Sequence, residues 1–382
     1  MKRPCFLLLC FLVMTVYPLI IIAQDYKLTV ILDSVPPYTA DTAALFLAGN
    51  PNNWSPQADG YRFRIQEGRY RLVMDAVHGA IEFKITRGSW DQTETAGNGK
   101  SISNRVVQLQ SDSVIHIAVE GWQDHFGKKE KMHTASKNVT VTEQFYMPQL
   151  KRHRTVRIYL PAGYNTDKKK RYPVLYLQDG QNVFDEFTSY AGEWDVDGFM
   201  DTTALPPSIV VAVDNGGDKR LDEYCPYPVK SIPGAEGNLY ADFMVQTLKP
   251  YIDRQYRTLK SKPNTFIAGS SMGGLISFYT ALQYPKIYGG VGVFSPSFWI
   301  TEDKVYADIK KLGPALNSFI YFYVGLLEGD TMPNDLLKAM KDLAAVSKAE
   351  LTAVIRSGGG HNEEAWRKEF PLFYQAVISK KK

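Results

Sequence analysis

A serine between small residues follows a short apolar run in the C-terminal half of this sequence. Phe266-Ile267-Ala268 leads into Gly269-Ser270-Ser271-Met272-Gly273, which fits the pattern G-x-S-x-G, and a helical pattern covers residues 272–282. Strand, sharp turn and helix are the context in which this pattern exposes a nucleophilic hydroxyl. The positive end of the following helix would also favour negative charge near that hydroxyl. We predict that Ser271 is a nucleophile; a Gly/Ser-rich turn without chemistry is the alternative.

A serine nucleophile needs a general base, and on such a strand–turn–helix elbow the chain order is serine, acid, histidine. Of the six histidines only His361 follows Ser271, and it comes directly after three glycines. The acid is expected in the loop after the apolar run 319–324, where Glu328 and Asp330 both qualify by position. The residues therefore predict general base catalysis by His361, oriented by one of these two carboxylates.

The elements that must position these residues alternate between strand and helix. Short apolar runs occur at 155–159, 173–177, 209–213 and 265–268, and a helical pattern occurs at 238–256. This alternation predicts a mostly parallel sheet with helices on both faces over residues 139–382.

The part of the sequence before residue 139 has a different texture. Five short alternating runs broken by Gly, Asn and Asp predict a small all-β sandwich over residues 24–122. The polar, lysine-rich stretch 123–138 has no apolar period and is predicted to be a linker. With 382 residues and 45% hydrophobic residues, the chain is long enough for two domains.

The N-terminus is typical of an export signal. Lys2 and Arg3 precede an apolar stretch over 6–22, and Ala23 before Gln24 is the expected cleavage site of a signal peptide spanning 1–23. An uncleaved anchor is the alternative; a lipoprotein site at Cys10 is disfavoured because a bulky leucine precedes that cysteine. We expect a periplasmic or extracellular protein without stable membrane association after cleavage.

Composition excludes several partner classes. The formal net charge is +4 and no basic block stands out, so nucleic acid is not expected as a partner. Cys5 and Cys10 lie in the signal, which leaves Cys225 without an intramolecular disulfide partner, and no metal-ligand spacing involves it. We predict neither a cofactor nor a metal; the oligomeric state is not defined by the sequence.

Several further motifs resemble those of the "Putative esterase" family of α/β-hydrolases, in matching order across residues 139–382. The residues that carry the likeness are Arg157-Ile158-Tyr159-Leu160-Pro161, Tyr172-Pro173-Val174-Leu175-Tyr176-Leu177-Gln178-Asp179-Gly180-Gln181-Asn182, Arg220, Glu223-Tyr224, the elbow, Ser295-Pro296-Ser297-Phe298-Trp299 and His361. That family contains ferric enterobactin esterases, S-formylglutathione hydrolases, and carbohydrate esterases that release acetyl or feruloyl groups from xylan. The resemblance implies a serine esterase that works through an acyl-enzyme.

The same resemblance implies roles for individual residues. In the xylan-active members the acid is the third residue after a strand-ending glycine, which selects Glu328, although aspartate is usual there and Asp330 stays the alternative. The oxyanion donors would be the backbone N–H groups of Met272 and Gln181, with Gly180 as the near alternative to Gln181. Residues expected to rim the substrate pocket are Arg220, Glu223, Tyr224 and Trp299; a buried Trp299 is the alternative.

The N-terminal region resembles the early-set, immunoglobulin-like modules of carbohydrate-binding family 48. Phe46-Leu47-Ala48-Gly49-Asn50-Pro51-Asn52-Asn53-Trp54, Glu82-Phe83-Lys84 and Gly88-Ser89-Trp90 carry that likeness. It implies that Trp54 and Trp90 stack on sugar rings while Lys84 and Asn104 bond hydroxyls. A spacer without sugar binding is the alternative.

Together these features predict a secreted serine esterase that removes acetyl or feruloyl groups from a polysaccharide or oligosaccharide. A siderophore tri-lactone esterase of the enterobactin type is the alternative within the same chemistry. From another class, a non-catalytic carbohydrate-binding protein with a degenerate hydrolase domain also has to be weighed. The sequence does not separate hydrolysis from acyl transfer, nor does it name the acyl group or the alcohol.

Overall fold

The computed structural model describes residues 25–52, 54–77, 79–102, 104–127, 131–190 and 192–380. The expected signal peptide, 1–23, lies outside these residues. Two compact units are present: the first contains the described residues up to Thr93 together with Val107–Glu120, and the second contains Glu94–Val106 and the chain from Gly121 onward.

The first unit is built from strands, as the alternating sequence pattern predicts. In β1, Leu28, Val30 and Leu32 are buried every second residue, which is the pattern of a strand with one covered face. β1 pairs antiparallel with β4 and parallel with β8, and the two sheets have the orders β3-β4-β1-β8 and β2-β5-β7. The immunoglobulin-like arrangement stays a prediction. The strands up to Trp122 are β1 (Asp25–Ser34), β2 (Phe46–Gly49), β3 (Arg64–Gln66), β4 (Arg69–Val77), β5 (Gly79–Thr86), β6 (Glu94–Thr95), β7 (Arg105–Leu109), β8 (Ser113–Ala118) and β9 (Gly121–Trp122).

The segment predicted to be a linker, 123–138, groups with the second unit, and two of its backbone N–H groups bond to carboxylates there. The backbone N–H of Thr134 donates to Asp185 Oδ1 at 3.0 Å, and that of Ser136 donates to Asp197 Oδ2 at 2.6 Å. Both carboxylates are buried, and burial raises the pKa of Asp197 to about 6. The polar composition of this segment therefore reflects bonds to buried carboxylates, which no local pattern reveals.

The second unit contains an eight-stranded sheet of order β10-β11-β13-β12-β14-β15-β16-β17. β11 pairs antiparallel with β10 and β13, and all other neighbours are parallel. The mostly parallel sheet predicted from the sequence is confirmed. Its strands are β10 (Val139–Met147), β11 (Arg152–Tyr159), β12 (Val174–Leu177), β13 (Ile209–Val213), β14 (Thr265–Ser270), β15 (Gly290–Phe294), β16 (Phe319–Gly325) and β17 (Glu350–Arg356).

Helices cover both faces of this sheet. Alternate residues of its strands belong to two separate apolar clusters. Leu175 and Leu177 pack with α1 and α8, whereas Val174 and Tyr176 pack in the cluster that includes residues of α2 to α7. The helices are α1 (Val196–Thr202), α2 (Arg220–Tyr224), α3 (Gly237–Asp242), α4 (Lys249–Gln255), α5 (Met272–Gln283), α6 (Lys304–Leu312), α7 (Thr331–Val346) and α8 (Glu363–Ser379), with a π-helical turn, Phe243–Leu248, joining α3 to α4.

The strand order places the chemistry-bearing residues on one edge. The chain leaves β12 for β13 on one side and later returns with β14 on the other, so the carboxyl ends of β12 and β14 flank a topological switch point. Open α/β sheets bind ligands in the crevice at such a point. Ser271 directly follows β14, and Gln181 lies in the turn after β12. Among the described residues, no helix is both long and apolar enough to cross a membrane.

α8, which follows the loop that carries His361, packs closely on β15. This packing predicts how a substitution at the contact changes the free energy of unfolding. A Cβ atom at Gly292 would lie 2.7 Å from Ala268 Cβ and 2.8 Å from Phe373 Cε2. We expect Gly292→Ala to lower the free energy of unfolding by about 1–3 kcal/mol, because an overpacked core must shift. Gly358→Ala is the control, since nothing lies within 4 Å of its added Cβ. Urea unfolding followed by circular dichroism checks this; equal midpoints for both variants would contradict it.

Candidate active site

Ser271 occupies a strained turn between β14 and α5. Its φ is 57° and its ψ is −125°, a backbone conformation that L-residues rarely adopt. The turn is held by three backbone bonds. The Ser271 N–H donates to Phe294 O at 2.9 Å, and Ser271 O accepts from the N–H groups of Leu275 at 3.1 Å and Ser297 at 3.2 Å. The half-buried hydroxyl is thereby fixed at the edge of the sheet where the parallel strands end.

The two glycines of the motif are required by close backbone approach. A Cβ at Gly269 would lie 2.6 Å from the carbonyl oxygen of Gly273. A Cβ at Gly273 would lie 3.0 Å from both Gln178 Cβ and Asp179 Oδ2. The small residues on either side of Ser271 thus let the elbow pack against itself and against the end of β12.

The predicted oxyanion donors lie on the two elements that meet at the switch point. Met272 is the first residue of α5, and the N–H groups of a helix's first turn have no partner within the helix. Gly180 and Gln181 belong to a short 3₁₀ turn after Asp179, which has a left-handed φ of 53°. A Cβ at Gly180 would lie 2.8 Å from the backbone N of Asp214, so glycine lets this turn pass close to the end of β13.

Glu328 is the carboxylate that contacts His361. Its Oε2 lies 2.8 Å from His361 Nδ1, and its side chain is completely buried. Oε1 accepts two bonds of 2.7 Å, from the Gly325 N–H and from the Ser295 hydroxyl. The other candidate acid, Asp330, is exposed at the N-cap of α7.

Glycines bring the acid loop and the histidine loop into direct contact. A Cβ at Gly325 would lie 2.0 Å from the carbonyl oxygen of Gly359, and a Cβ at Gly359 would lie 2.5 Å from Tyr323 Oη. The Leu327 N–H also donates to Gly359 O at 3.0 Å. Burial, to which the negative charge of Glu328 adds, raises the pKa of Tyr323 to about 12. A neutral phenol therefore lines the loop before His361.

Two residues without a predicted role support this pair. Ser295 has a φ of 43°, and its hydroxyl accepts a bond from Trp366 Nε1 at 2.9 Å while donating to Glu328. The Trp366 ring also packs edge-on against His361, with 5.0 Å between ring centroids. Ser295 belongs to the Ser-Pro-Ser segment already noted in the sequence; the only sequence signal for Trp366 is its place in the first turn of α8, shortly after His361.

The Ser271 hydroxyl has a different partner from the one expected. In the described part of the chain it is hydrogen-bonded to Ser297 Oγ at 3.2 Å and not to His361. Catalytic hydrogen bonds are often long before a ligand binds. The nucleophile, base and acid roles of Ser271, His361 and Glu328 therefore stay predictions, supported by the elbow and by the His361–Glu328 contact.

Arg220, predicted to rim the pocket, is paired with a carboxylate beside the elbow. Its Nε and Nη2 donate to the two oxygens of Asp179 at 2.7 and 3.0 Å, and Asn215 Nδ2 donates to Asp179 Oδ1 at 2.7 Å. This pair and its proximity to Tyr224 hold the pKa of Arg220 above its usual value in spite of burial. Arg220 thus fixes the turn that carries Gly180 and Gln181.

The structure differs from expectation for Glu223 and Tyr224, which are completely buried. Arg154 Nη2 donates to both Glu223 oxygens at 2.6 Å, and Arg152 Nη1 donates to Oε1 at 3.0 Å. The Tyr224 hydroxyl accepts the Asp179 N–H at 3.1 Å. Both side chains therefore stabilise the wall behind the site and are not placed to touch a substrate.

Trp299 is about half exposed, at 48%, in the short 3₁₀ helix Phe298–Thr301 after β15, so the alternative of a buried core tryptophan does not apply.

In the first unit, Trp54 and Trp90 lie side by side, with ring centroids 6.4 Å apart and planes tilted by 33°. Trp90 is 37% exposed and Trp54 and Lys84 are half-buried. Asn104 groups with the second unit, so its predicted place beside the tryptophans stays untested.

Two further polar residues border the site and were missed by sequence reasoning. Asn182 Nδ2 donates to Glu363 Oε1 at 3.2 Å, and Asn182 Oδ1 accepts the Tyr190 N–H at 2.8 Å. Asn182 is the last residue of the turn with the predicted oxyanion donors, and Glu363 is the first residue of α8. Among the described residues, no group of three or more His, Cys, Asp or Glu is arranged to hold a metal ion.

Comparison with known proteins gives a consistent family. The family model described as "Putative esterase" matches residues 147–374. An endo-1,4-beta-xylanase/feruloyl esterase of Xylanibacter ruminicola is 27% identical over 287 residues, which are 74% of this chain and 36% of that protein. An iron(III) salmochelin esterase of Escherichia coli O6:H1 is 25% identical over 227 residues, which are 56% of this chain and 52% of that protein.

A solved structure shows the same fold. The enterobactin esterase of Shigella flexneri, determined in the presence of enterobactin, superposes with a TM-score of 0.52 at 16% identity, over 88% of this chain and 87% of its own. The chain spans about a third of the Xylanibacter protein and about half of the salmochelin esterase. Because the family model covers more than half of the chain, including the elbow and the loop of His361, this protein belongs to the esterase family.

Proposed function

We propose that this esterase hydrolyses carboxylic esters through an acyl-enzyme on Ser271, with His361 as general base and Glu328 as the acid. The observation that carries the proposal is the strained Ser271 turn on the same sheet edge as the His361–Glu328 contact of 2.8 Å. A degenerate, non-catalytic hydrolase domain has no physical reason to keep a strained serine beside an oriented imidazole.

The chemistry follows from the geometry. With Nδ1 of His361 protonated, Nδ1–H donates a hydrogen bond to Glu328 Oε2, which leaves Nε2 as the proton acceptor. Rotation of the Ser271 side chain away from Ser297 would bring its hydroxyl to Nε2; the hydroxyl oxygen then attacks the ester carbonyl as its proton passes to His361. The N–H groups of Met272 and Gln181 bind the oxyanion, the alcohol leaves with the proton from His361, and water repeats the sequence to release the acid.

For the substrate, we propose an acetyl or feruloyl ester on a polysaccharide or oligosaccharide, acted on after export. The match to a xylanase/feruloyl esterase supports this substrate class. That match covers 74% of the chain and so extends beyond the predicted esterase domain, 139–382. A siderophore tri-lactone is the second candidate, supported by the match to a salmochelin esterase. Trp54 and Trp90 would serve the first candidate alone, as a stacking surface for sugar rings.

The nucleophile is tested by Ser271→Ala. We expect the variant to keep the fold and to lose at least about a thousandfold in kcat/KM on 4-nitrophenyl acetate, because triad members act as a unit. Circular dichroism spectra of both proteins and their hydrolysis rates on acetylated xylan, methyl ferulate and enterobactin would be measured in parallel. Retention of even a tenth of the wild-type rate would mean that Ser271 is not the nucleophile.

The choice of acid is tested by comparing Glu328→Gln with Asp330→Asn. Glu328→Gln removes the charge that orients His361 but keeps the side-chain size, so kcat should fall by about a hundredfold or more. Asp330→Asn should leave kcat within about twofold, because Asp330 is exposed. The reverse ranking of the two variants would assign the acid to Asp330.

The surface formed by Trp54 and Trp90 is tested by replacing both residues with alanine. Binding to insoluble polysaccharide should weaken, because both indole rings that would stack on sugars are lost. The value of kcat/KM on 4-nitrophenyl acetate should not change. Pull-down with insoluble xylan and starch, with Ser271→Ala as the binding-competent control, gives the measurement. Equal retention of the double variant and the wild type on both polysaccharides would make the first unit a spacer.

A further inference from the structure

A second carboxylate borders the site and has no part in the proposed reaction. Glu363 follows His361 by two residues and begins α8, and its Oε1 accepts the 3.2 Å bond from Asn182 in the oxyanion turn. Its charge interacts with His361, Asp179 and Arg220. The Glu363 carboxylate therefore lies between the histidine loop and the turn that carries Gln181, at the border of the candidate site.

Glu363 forms no salt bridge among the described residues, although the charges of His361 and Arg220 favour its ionised form. Arg220 is the arginine within electrostatic reach, and its guanidinium already forms a two-bond pair with Asp179. Within the described residues, no lysine or arginine forms an ion pair with Glu363, whose side chain accepts a hydrogen bond from the neutral amide of Asn182. Burial raises the pKa of the Glu363 carboxyl, and the bond from its own backbone N–H and the charges of His361 and Arg220 offset this only in part.

The N-terminus of α8 contributes to this placement, because the Glu363 carboxylate accepts a hydrogen bond from its own backbone N–H. An acidic residue in the first turn of a helix is stabilising, but Glu364 occupies the same turn of α8, faces solvent and pairs with Lys368 at 2.7 Å. Asn362 supplies the N-cap bond to the Ala365 N–H at 3.0 Å. A half-buried carboxylate that forms no salt bridge within the described residues costs free energy, so its position at the edge of the candidate site points to a functional role.

We propose that Glu363 is a specificity-determining residue that selects uncharged esters, by repelling acidic groups near the scissile bond. The inference rests on the proposed function, since it assigns a substrate class to the same site. It predicts that esters carrying a carboxylate or another anion close to the carbonyl carbon are poor substrates, and that neutral acyl and sugar groups are accepted.

Two 4-nitrophenyl esters of equal chain length test this charge selectivity. The hexanoate is neutral, and the monoester of adipic acid carries one carboxylate at its far end. At pH 8, where the adipate carboxylate is ionised, wild-type kcat/KM should favour the hexanoate at low ionic strength. Glu363→Gln keeps the shape and the bonding capacity toward Asn182, and it should raise the adipate-to-hexanoate ratio about tenfold. Added sodium chloride should shrink this difference.

Glu364→Gln is the matched control, because it makes the same change of charge one residue away in an exposed side chain. Its adipate-to-hexanoate ratio should stay within about twofold of wild type. A ratio in Glu363→Gln that equals the ratio in Glu364→Gln would overturn the inference. So would an increase in Glu363→Gln that does not depend on salt, because such a change reports shape and not charge.

A measurement on the wild type keeps the test independent of how the variants fold. Between about 20 mM and 500 mM sodium chloride, wild-type kcat/KM on the adipate ester should rise several-fold while that on the hexanoate stays constant. A flat salt response on both esters would also overturn the inference and leave the proposed function standing. If folded wild-type protein hydrolyses neither ester, the proposed function fails, and the inference fails with it.

Discussion

The candidate site depends on how one buried negative charge is satisfied. Glu328 has no exposed side-chain surface, and its oxygens are bonded from three places: the end of β16 through Gly325, the end of β15 through Ser295, and the loop after β17 through His361. A buried carboxylate that loses a partner costs several kcal/mol. The contacts that stabilise the acid therefore also fix the ends of three neighbouring strands and the orientation of the imidazole.

Close backbone approach makes this arrangement possible, and it explains where glycine is needed. The elbow at Ser271 stores strain of about 1–3 kcal/mol, which persists only because surrounding contacts determine it. Gly269 and Gly273 let the elbow fold back on the end of β12, and Gly325 and Gly359 let the acid loop touch the histidine loop. In each case a single added Cβ atom would push apart two backbone segments that are in contact: the elbow and the end of β12, or the loops of Glu328 and His361.

Local patterns were sufficient to predict the parallel sheet, the elbow and the loops that bear Glu328 and His361, because each depends on residues close together in the chain. What the sequence could not show are contacts between distant residues. Glu223 reads as a polar residue after a strand, yet it is buried by Arg154, 69 residues earlier. Glu363 meets Asn182 across 181 residues. The polar stretch 123–138 resembled a linker because its buried carboxylate partners, Asp185 and Asp197, lie far along the chain.

The arginines around the site give a last constraint on its chemistry. Arg157 pairs with Asp214, Arg220 with Asp179, and Arg152 and Arg154 with Glu223. A guanidinium that already holds a carboxylate with two bonds has its favoured geometry for anions occupied. In the part of the chain that the structure describes, these four arginines therefore hold strand ends and turns together. An anion that bound to one of them in the same two-bond geometry would have to displace an internal carboxylate.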